Sequence, residues 1–397
     1  MAAEQETKKV LILTTVSGFV QKFEKENVRL LQEMGYEIHY AANPNVPAYP
    51  YPDGTYEEMG IIFHPIPIIQ NPRAVRANRK AYQELKQLIK EEEISLLHCH
   101  TPVGGVLGRL LGRSFGKKLA IIYTAHGFHF YKDHNKLIHP VTYHIEKWLA
   151  HYTDALVTIN WEDYRVAKTF RLRRPGNVFR INGAGIDPVA FCPVTEEEYQ
   201  LARKKQGVGN DTFYMVSVGE LNQNKNHVSI LKALTWLRVK GEDLKRIRCD
   251  IYGQGREKEA LEEQIRTLHL EDVVQIHGYV NPVRPVLAGA DVFLFPSIRE
   301  GLGLAAVEAL ATGLPVIAAE NRGSREYMKH RVNGFVFPCD DIDRFGMAIL
   351  HCMLMDGNEK AQMRKEAISS VKPFLKDIVR GSMKEIYQKV EQSSESK

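Results

Sequence analysis

Two glutamates, Glu300 and Glu308, stand eight positions apart in PSIREGLGLAAVEALATGLPVIA. Glu300 falls in a glycine-bearing stretch, whereas Glu308 is surrounded by alanine, valine and leucine. An unpaired carboxylate in such apolar surroundings costs several kcal/mol to desolvate. We therefore expect Glu308 to reach water or to accept hydrogen bonds from a ligand, and a polyol such as a ribose supplies donors of this kind.

The sequence around the two glutamates predicts one strand-loop-helix-strand unit. The apolar run Val292–Phe295 predicts a strand, and Pro296–Gly303 predicts a loop. A helix is expected over Leu304–Ala311, which stops at Gly313 before a second strand over Pro315–Ala319. The unit would place one carboxylate before the helix and the other on it.

Other loops whose residues could bind a ligand follow predicted strands. The loop GELNQNKN, residues 219–226, brings amides, asparagines and Lys225 before a helix, which suits either a diphosphate cradle or a solvated loop. Gly253, in DIYGQG, is weak evidence for a nucleotide. Gly18 would let a phosphate approach the backbone or would only form a tight turn. His126 directly follows a strand, beside a glycine and several aromatics in TAHGFHFY, and is a candidate site residue.

Two patterns with metal-like spacing favour structural roles. In His98-Cys99-His100 the histidines share a face of an extended strand, but no further ligand set is evident. Asp340–Asp343 (DDID) contains a D-x-D spacing that suits a divalent metal with a diphosphate. This segment precedes a helix, so capping and the helix dipole explain it adequately. We therefore predict neither a metal nor another cofactor.

Both halves of the chain alternate strand-like and helix-like segments, which predicts an α/β protein with parallel sheets. The predicted strands of the first half are VLILTTV, IHYAAN, LLHCH, AIIYTAH and ALVTIN; those preceding the Glu300 unit in the second half are FYMVSVGE, RCDIYGQG and VVQIHGYV. Between the halves, residues 181–193 are rich in glycine and proline without periodicity. We predict domains at 1–187 and 188–374, with a helix at about 375–390 that packs back on the first.

Length and composition exclude several classes. At 397 residues, 44% of them hydrophobic and 25% charged, the chain suits two globular domains. The N-terminal apolar run is too short for a secretion signal, and no run approaches the roughly 20 apolar residues of a membrane span. The five cysteines form no CxxC pair, which indicates reduced thiols. These features predict a cytoplasmic protein.

The net charge of +5 lies entirely in residues 1–193, which contain 24 Lys and Arg against 19 Asp and Glu. Three basic clusters stand out: Arg73, Arg76, Arg79 and Lys80; Lys117 and Lys118; and Arg171, Arg173 and Arg174. Each cluster alone is typical of a solvated face. Together they favour an anionic partner, such as a phospholipid surface or a lipid diphosphate. No recognised nucleic-acid module accompanies the charge, so we predict no nucleic-acid partner.

These motifs together carry a resemblance that covers nearly the whole chain. E-x7-E at Glu300 and Glu308, with SVGELNQNKNH, DIYGQG, INGAGID and NRGSREYMKHRVNGFVF, resembles the retaining glycosyltransferases of family 4, which have the GT-B fold. TAHGFHFY and IEKWLAHYTDALVTIN resemble more narrowly the bacterial capsule and exopolysaccharide glycosyltransferases. Those enzymes add sugars, usually from a UDP-sugar, to a polyprenyl-diphosphate-linked oligosaccharide.

The resemblance implies two Rossmann-like domains facing across a cleft, with the acceptor on the N-terminal domain and the nucleotide-sugar on the C-terminal one. It implies that Glu308 accepts the ribose hydroxyls and that Lys225 neutralises the departing diphosphate. It further implies that His126 touches the donor sugar. Glu300 and the amides of Gly301, Leu302, Gly303 and Leu304 would hold the sugar and phosphate, and the backbone around Tyr279 and Val280 would meet the base. We also place Gly18, Asn222 and Gly253 in the predicted donor site.

One position departs from the family pattern, because Glu220 stands where the family often has an arginine. A carboxylate cannot act as a second phosphate cation. Either Glu220 turns away and Asn222 or Arg299 compensates, or the phosphates depend more heavily on Lys225 and the helix amides. Both alternatives remain open at the level of the sequence.

The mechanism implied by the resemblance requires stabilisation of a nucleoside diphosphate leaving group beside an oxocarbenium-like sugar. A fixed lysine would do this without a metal. No carboxylate is an obvious covalent nucleophile, so retention is expected to follow front-face attack, with a diphosphate oxygen assisting deprotonation of the acceptor.

Three other classes are less favoured. A nucleotide-sugar 2-epimerase shares the fold, but the E-x7-E context matches transferases better. A non-catalytic nucleotide-sugar-binding partner of another transferase would not need His126, Lys225, Glu300 and Glu308 intact. An NAD oxidoreductase would open a domain with GxGxxG after its first strand, and neither half does.

Overall fold

The computed structural model describes residues 7–45, 49, 51–130, 138–173 and 176–395. The chain folds as two compact units, the first comprising Met1–Gly185 with Lys376–Lys397 and the second Ile186–Leu375. Tyr131 of the TAHGFHFY segment and Arg174 of the third basic cluster lie outside the described residues. None of the helices within the described ranges is long and apolar enough to cross a membrane.

The described part of the first unit contains a seven-stranded parallel sheet in the order β3-β2-β1-β4-β5-β6-β7. Its central strands are buried on both faces, as is usual for parallel sheets covered by helices. The strands are β1 (Lys8–Val16), β2 (Tyr36–Asn43), β3 (Ile61–Pro65), β4 (Leu96–Cys99), β5 (Ala120–Ala125), β6 (Ala155–Thr158) and β7 (Asn177–Arg180).

The second unit contains a six-stranded parallel sheet in the order β10-β9-β8-β11-β12-β13. Strand order reverses between β8 and β11, and such reversals are where open α/β sheets bind ligands, at the carboxyl ends of the strands. The strands are β8 (Phe213–Val218), β9 (Ile247–Tyr252), β10 (Val274–His277), β11 (Val292–Phe295), β12 (Val316–Ala319) and β13 (Gly334–Phe337).

Helices join successive strands and cover the two sheets. In chain order the α-helices of the described ranges are α1 (Lys25–Glu33), α2 (Thr55–Glu58), α3 (Val75–Glu91), α4 (Pro102–Phe115), α5 (Ile138–Ala150), α6 (Trp161–Ala167), α7 (Glu196–Gln206), α8 (Val228–Val239), α9 (Lys258–Thr267), α10 (Arg284–Ala288), α11 (Leu304–Ala311), α12 (Ile342–Leu354), α13 (Gly357–Ser370) and α14 (Lys376–Glu395). A π-helical turn, Val20–Glu24, precedes α1.

The final helix, α14, belongs to the first unit. Its Tyr387 is fully buried, and the hydroxyl lies 2.9 Å from Nδ1 of His98 on β4. Glu391 accepts hydrogen bonds from Lys8 at 3.1 Å and from the Tyr36 hydroxyl at 2.8 Å. These contacts tie α14 to β1, β2 and β4.

The structure contains elements that the sequence pattern does not predict, including β3, β7, β13, α7 and α13. The three strands all lie at sheet edges, where β3 and β7 are only partly buried and lack a continuous apolar run. Helix α7 has a strongly polar sequence and begins with a capping box at Thr195 and Glu198. It is thus defined by its cap and not by an apolar stripe.

Candidate active site

Two loops of the second unit meet beside the point where strand order reverses. One loop follows β8 and the other follows β11, and these strands are adjacent in the sheet. The Ile298 amide donates to the Asn224 carbonyl at 2.8 Å, and the Asn224 side-chain amide donates to the Arg299 carbonyl at 2.9 Å. Parallel pairing of the two strands thus brings together segments that lie about 75 positions apart in the chain.

Lys225 and Glu300, both predicted site residues, form an ion pair across these loops. Lys225 Nζ lies 2.6 Å from Glu300 Oε1, and the two side chains are 22% and 14% exposed. The positive charge of Lys225 is therefore balanced by Glu300, while its ammonium group stays at the surface of the site. A phosphate entering here would compete with Glu300 for the same cation.

Gly303 directly precedes helix α11, as its N-cap, in a left-handed conformation that favours glycine. Its φ is +90°, and a Cβ built there would lie 2.6 Å from Cζ of Phe295 and 2.9 Å from the Tyr327 hydroxyl. Tyr327 donates a hydrogen bond to the Gly303 carbonyl at 3.4 Å. Burial, with the nearby charge of Glu300, holds the pKa of Tyr327 well above its ordinary value, so the phenol remains a donor.

Helix α11 presents an open face on which Glu308 lies. Glu308 is half-buried, as are Leu304 and Ala305 on the same side of the helix, whereas Val307 and Leu310 are buried. The first-turn amides of any helix lack acceptors within the helix and carry partial positive charge. The predicted loop residues Gly301 and Leu302 lead directly into this turn. The backbone amides at the start of the helix therefore lie on the same short segment as Glu300 and Glu308.

The other predicted donor-binding residues of this unit surround the same strand ends. Asn222 accepts a hydrogen bond from the Lys225 amide at 3.0 Å and so shapes the lysine's loop. Gly253 follows the adjacent β9, and a Cβ there would lie 1.9 Å from the Gly219 carbonyl oxygen, so glycine allows two loops to pack together. Tyr279, 51% exposed, and the half-buried Val280 follow β10.

Glu220, the residue at the family's arginine position, has an exposed side chain. Arg299 is half-buried in the loop that carries Glu300. The chain thus has an exposed carboxylate at the family's arginine position and an arginine in the neighbouring Glu300 loop.

Gly18 lies in the first unit, where it is closely packed against other protein groups. Its φ is +82°, and a Cβ there would lie 2.1 Å from the Tyr49 carbonyl oxygen. The Gly18 amide donates to the Tyr56 hydroxyl at 2.9 Å. The structure therefore favours the tight-turn interpretation of this glycine over a phosphate contact.

His126, the predicted catalytic histidine, follows β5 in the first unit. Its Nε2 lies 3.1 Å from Nδ1 of His100, which in turn lies 3.6 Å from Oε1 of Glu24. Burial lowers the pKa of His126 to about 4 and that of His100 well below its ordinary value, so both rings are neutral at pH 7. Burial also raises the pKa of Glu24 to about 7.

In each of the two sequence patterns with metal-like spacing, one residue has a structural role in the folded chain. His98 is buried between Tyr387 and Thr124, with ring nitrogens 2.9 and 2.8 Å from the two hydroxyls. Asp341 caps α12 by accepting a hydrogen bond from the Arg344 amide at 3.0 Å. The N-capping interpretation of the DDID segment is thereby confirmed.

Several residues that support the two sites are absent from the set predicted from sequence. Asn321 donates a hydrogen bond to the Ser297 carbonyl at 2.8 Å, and Tyr327 donates one to the Gly303 carbonyl. Both bonds stabilise the loop that carries Glu300. In the first unit, Glu24 reaches His100 from a π-helical turn. The family motif NRGSREYM already contains Asn321 and Tyr327, whereas no sequence signal singles out Glu24.

Comparison with known proteins identifies the family. Residues 198–370 match the family described as glycosyl transferases group 1, and residues 9–160 match the glycosyl transferase 4-like family. The chain is 36% identical over 345 residues to the putative glycosyltransferase EpsD of Bacillus subtilis, covering 86% of this chain and 87% of the relative. The chain therefore belongs to the family 4 glycosyltransferases and is a glycosyltransferase.

A second relative is the UDP-Gal:α-D-GlcNAc-diphosphoundecaprenol α-1,3-galactosyltransferase of Escherichia coli, 26% identical over 342 residues with 86% of each chain covered. Among solved structures, Anabaena HepE in complex with UDP and glucose aligns with a TM-score of 0.78 at 18% identity, over 96% of this chain and 100% of that one. Sucrose-phosphate synthase from Thermosynechococcus elongatus aligns with a TM-score of 0.80 at 16% identity, over 97% and 100%. These alignments confirm the GT-B fold.

His227, beside the Lys225 loop, generates a prediction about acid stability. It is buried, and burial together with the charge of Lys225 lowers its pKa to about 4. In the unfolded chain a histidine titrates near pH 6.5, so the unfolded state binds more protons between about pH 6.5 and 4. Stability should therefore fall with acid in this window, by up to about 1.4 kcal/mol per pH unit from this residue.

Urea denaturation at pH 7, 6 and 5 tests this prediction. His227→Gln should show a shallower loss of unfolding free energy with acid than wild type, whereas His151→Gln, at an exposed position, should keep the wild-type slope. Equal slopes for wild type and His227→Gln would contradict the assignment.

Proposed function

We propose that this glycosyltransferase moves a sugar from a UDP-sugar to a polyprenyl-diphosphate-linked oligosaccharide with retention at the anomeric carbon, in capsule or exopolysaccharide synthesis. The observation that carries the proposal is the convergence of Lys225, Glu300 and the start of α11, with Glu308 on the helix's open face. This arrangement supplies groups for a diphosphate, a sugar and a ribose within one segment.

The donor class is supported by the relatives. The Escherichia coli relative is named for a UDP-Gal donor and a diphosphoundecaprenol-linked acceptor. Anabaena HepE has been solved with UDP-glucose as well as with UDP and glucose. The open position of Tyr279 and Val280 beyond β10 is compatible with a base that stacks at the edge of the site.

Lys225 has the chemistry for the departing diphosphate. Its ammonium is fixed by Glu300 at 2.6 Å before the donor arrives, so little reorganisation is needed as negative charge develops. The amides at the start of α11 add fixed partial charges of the same sign. With these groups the leaving group is stabilised by the chain itself, and we propose no metal requirement.

Glu308 has the chemistry for a ribose. A half-buried carboxylate accepts hydrogen bonds from two neighbouring hydroxyls, and these bonds are roughly twice as strong as neutral ones.

From the family resemblance we also propose that His126 contacts the donor sugar. The acceptor would attack from the front face, with a diphosphate oxygen assisting its deprotonation.

A membrane surface is proposed as the place of action. Arg73, Arg76, Arg79 and Lys80 are exposed around the start of α3, which suits attraction to anionic lipid. Val141, Ile145 and Trp148 form an exposed apolar stripe along α5 of the same unit. Arg173 is excluded from this surface, because it is tied to Asp154 and to backbone carbonyls inside the unit.

An activity screen tests the proposed function. The protein should release UDP from one member of a panel of UDP-, GDP- and ADP-sugars only when a short polyprenyl-diphosphate-linked saccharide is present. NMR of the product should show the anomeric configuration of the donor. An inverted linkage would refute the retaining mechanism, and turnover of the UDP-sugar without acceptor and without UDP release would indicate an epimerase.

Two substitutions separate the roles of the proposed donor-site residues. Lys225→Ala should lower kcat by about 10²- to 10³-fold, the effect of removing one preorganised charge-stabilising donor. Glu308→Ala should instead raise the KM for the donor with a smaller effect on kcat, because the ribose contact exists in both ground and transition states. Lys232→Ala, at an exposed lysine on α8, is the matched control and should retain wild-type kinetics. An unchanged kcat for Lys225→Ala would refute its role.

A further inference from the structure

A cluster of three potential metal ligands lies at the strand ends of the first unit. Glu24, His100 and His126 each offer one ligand atom, and these atoms all lie within 4.8 Å of one another. Two of the separations are short, 3.1 Å between the histidine nitrogens and 3.6 Å between His100 and Glu24. Within the described ranges this is the one such group formed by histidine, cysteine and carboxylate side chains.

Three separate elements aim these side chains at one point. His100 and His126 come directly after the adjacent strands β4 and β5, so parallel pairing places them side by side. Glu24 ends the π-helical turn before α1, a rare local conformation that often marks functional positions. Phe19 packs against both imidazoles, with ring centroids 5.5 and 5.2 Å away, and limits their movement.

We propose that Glu24, His100 and His126 bind a Zn²⁺ ion, and that this ion inhibits the enzyme. Zinc bonds to histidine nitrogen and to carboxylate oxygen are about 2.0–2.2 Å long. Tetrahedral coordination at those lengths separates ligand atoms by roughly 3.3–3.5 Å. The two short separations bracket this value, and the third is at most 4.8 Å, so only a small adjustment of the carboxylate is needed to complete the set.

The donor set selects among metals. Two imidazoles and one carboxylate suit Zn²⁺, whereas Mg²⁺ and Ca²⁺ prefer oxygen ligands alone. Glu24 is buried, and its contacts are the Asn27 amide at 2.5 Å and His100, so no lysine or arginine of the described chain pairs with it. A divalent cation would supply the missing positive charge.

A small cavity adjoins two members of the cluster. Glu24 and His126 line a small cavity together with Asn27, Thr124 and Arg380. A water molecule or a substrate oxygen placed there would complete a four-coordinate site, as in zinc sites that keep an open position. The proton now shared between the two histidines would move to the outer nitrogen of its ring, because a ligand nitrogen must be deprotonated.

Inhibition follows from the use of His126 as a ligand, and this part rests on the proposed function. A histidine whose Nε2 binds zinc is fixed in orientation and cannot adjust to a donor sugar. The binding of zinc itself is independent of that role. A failure of binding and a failure of the proposed function are therefore measured separately.

A second histidine pair provides a matched control. His39 Nδ1 and His64 Nε2 lie 2.9 Å apart, as close as the first pair, but Glu37 contacts the opposite ring nitrogen of His39 at 3.0 Å. The three atoms therefore do not converge on one point. Substituting His64 should leave zinc binding by the other cluster unchanged.

Titration of the metal-free full-length protein with ZnCl₂ against a chromophoric zinc indicator tests the proposal. Wild type and His64→Asn should bind one tight equivalent, whereas His100→Asn and Glu24→Gln should each lose at least about tenfold in affinity. MgCl₂ in excess should not displace the zinc. In the activity assay, zinc should inhibit wild type and His64→Asn at about one equivalent per chain.

Circular dichroism verifies that each variant is folded. If His100→Asn does not fold, Glu24→Gln still tests the proposal. Substitution with Co²⁺ gives an independent readout, because nitrogen and oxygen ligation produces visible bands without the strong near-ultraviolet band of a thiolate. Unchanged affinity in both folded variants, or a thiolate band that assigns the ion to cysteines, would overturn the proposal.

Discussion

The ion pair between Lys225 and Glu300 is the interaction around which the candidate donor site of the second unit is arranged. It joins the loops after β8 and β11, and it exists because these strands are neighbours where strand order reverses. Hydrogen bonds of the Asn224 carbonyl and side chain connect the same two loops, and Tyr327 and Asn321 bond to carbonyls of the loop after β11. A cation held by a carboxylate in this way is already oriented when a stronger anion arrives.

The sequence predicted much of this unit for identifiable reasons. Strand β11 and helix α11 have the predicted bounds, since a buried apolar run, a glycine and an apolar helix are strong local signals. The sequence pattern does not predict the polar, cap-defined α7 and the edge strand β13 of this unit, or the edge strands β3 and β7 of the first unit, because their stability comes from caps and neighbouring strands. The pairing of Lys225 with Glu300 depends on strand order, which no local pattern contains. The packing of Gly18 is also absent from the local pattern, because the backbone against it belongs to Tyr49, which is distant in the chain.

In the first unit, too, side chains come together where neighbouring parallel strands end. Parallel pairing of β4 with β5 puts His100 beside His126, and an irregular helical turn adds Glu24. His98 and His100 are neighbours in the fold as well as in the sequence, with ring centroids 4.1 Å apart, but their polar contacts differ. His98 contacts Tyr387 of helix α14, while His100 contacts His126 in the candidate metal site. Residues close together in sequence thus serve stability and chemistry separately.

The central claim is that the diphosphate of a nucleotide-sugar lies between Lys225 and the start of α11. Hydrogen–deuterium exchange with and without UDP measures this most directly, because amides that bind phosphate or become enclosed exchange more slowly. We expect protection in peptides covering residues 219–226 and 300–308, with little change in α9 or α13. Protection confined to the strand ends of the first unit, with no change in these two loops, would contradict it.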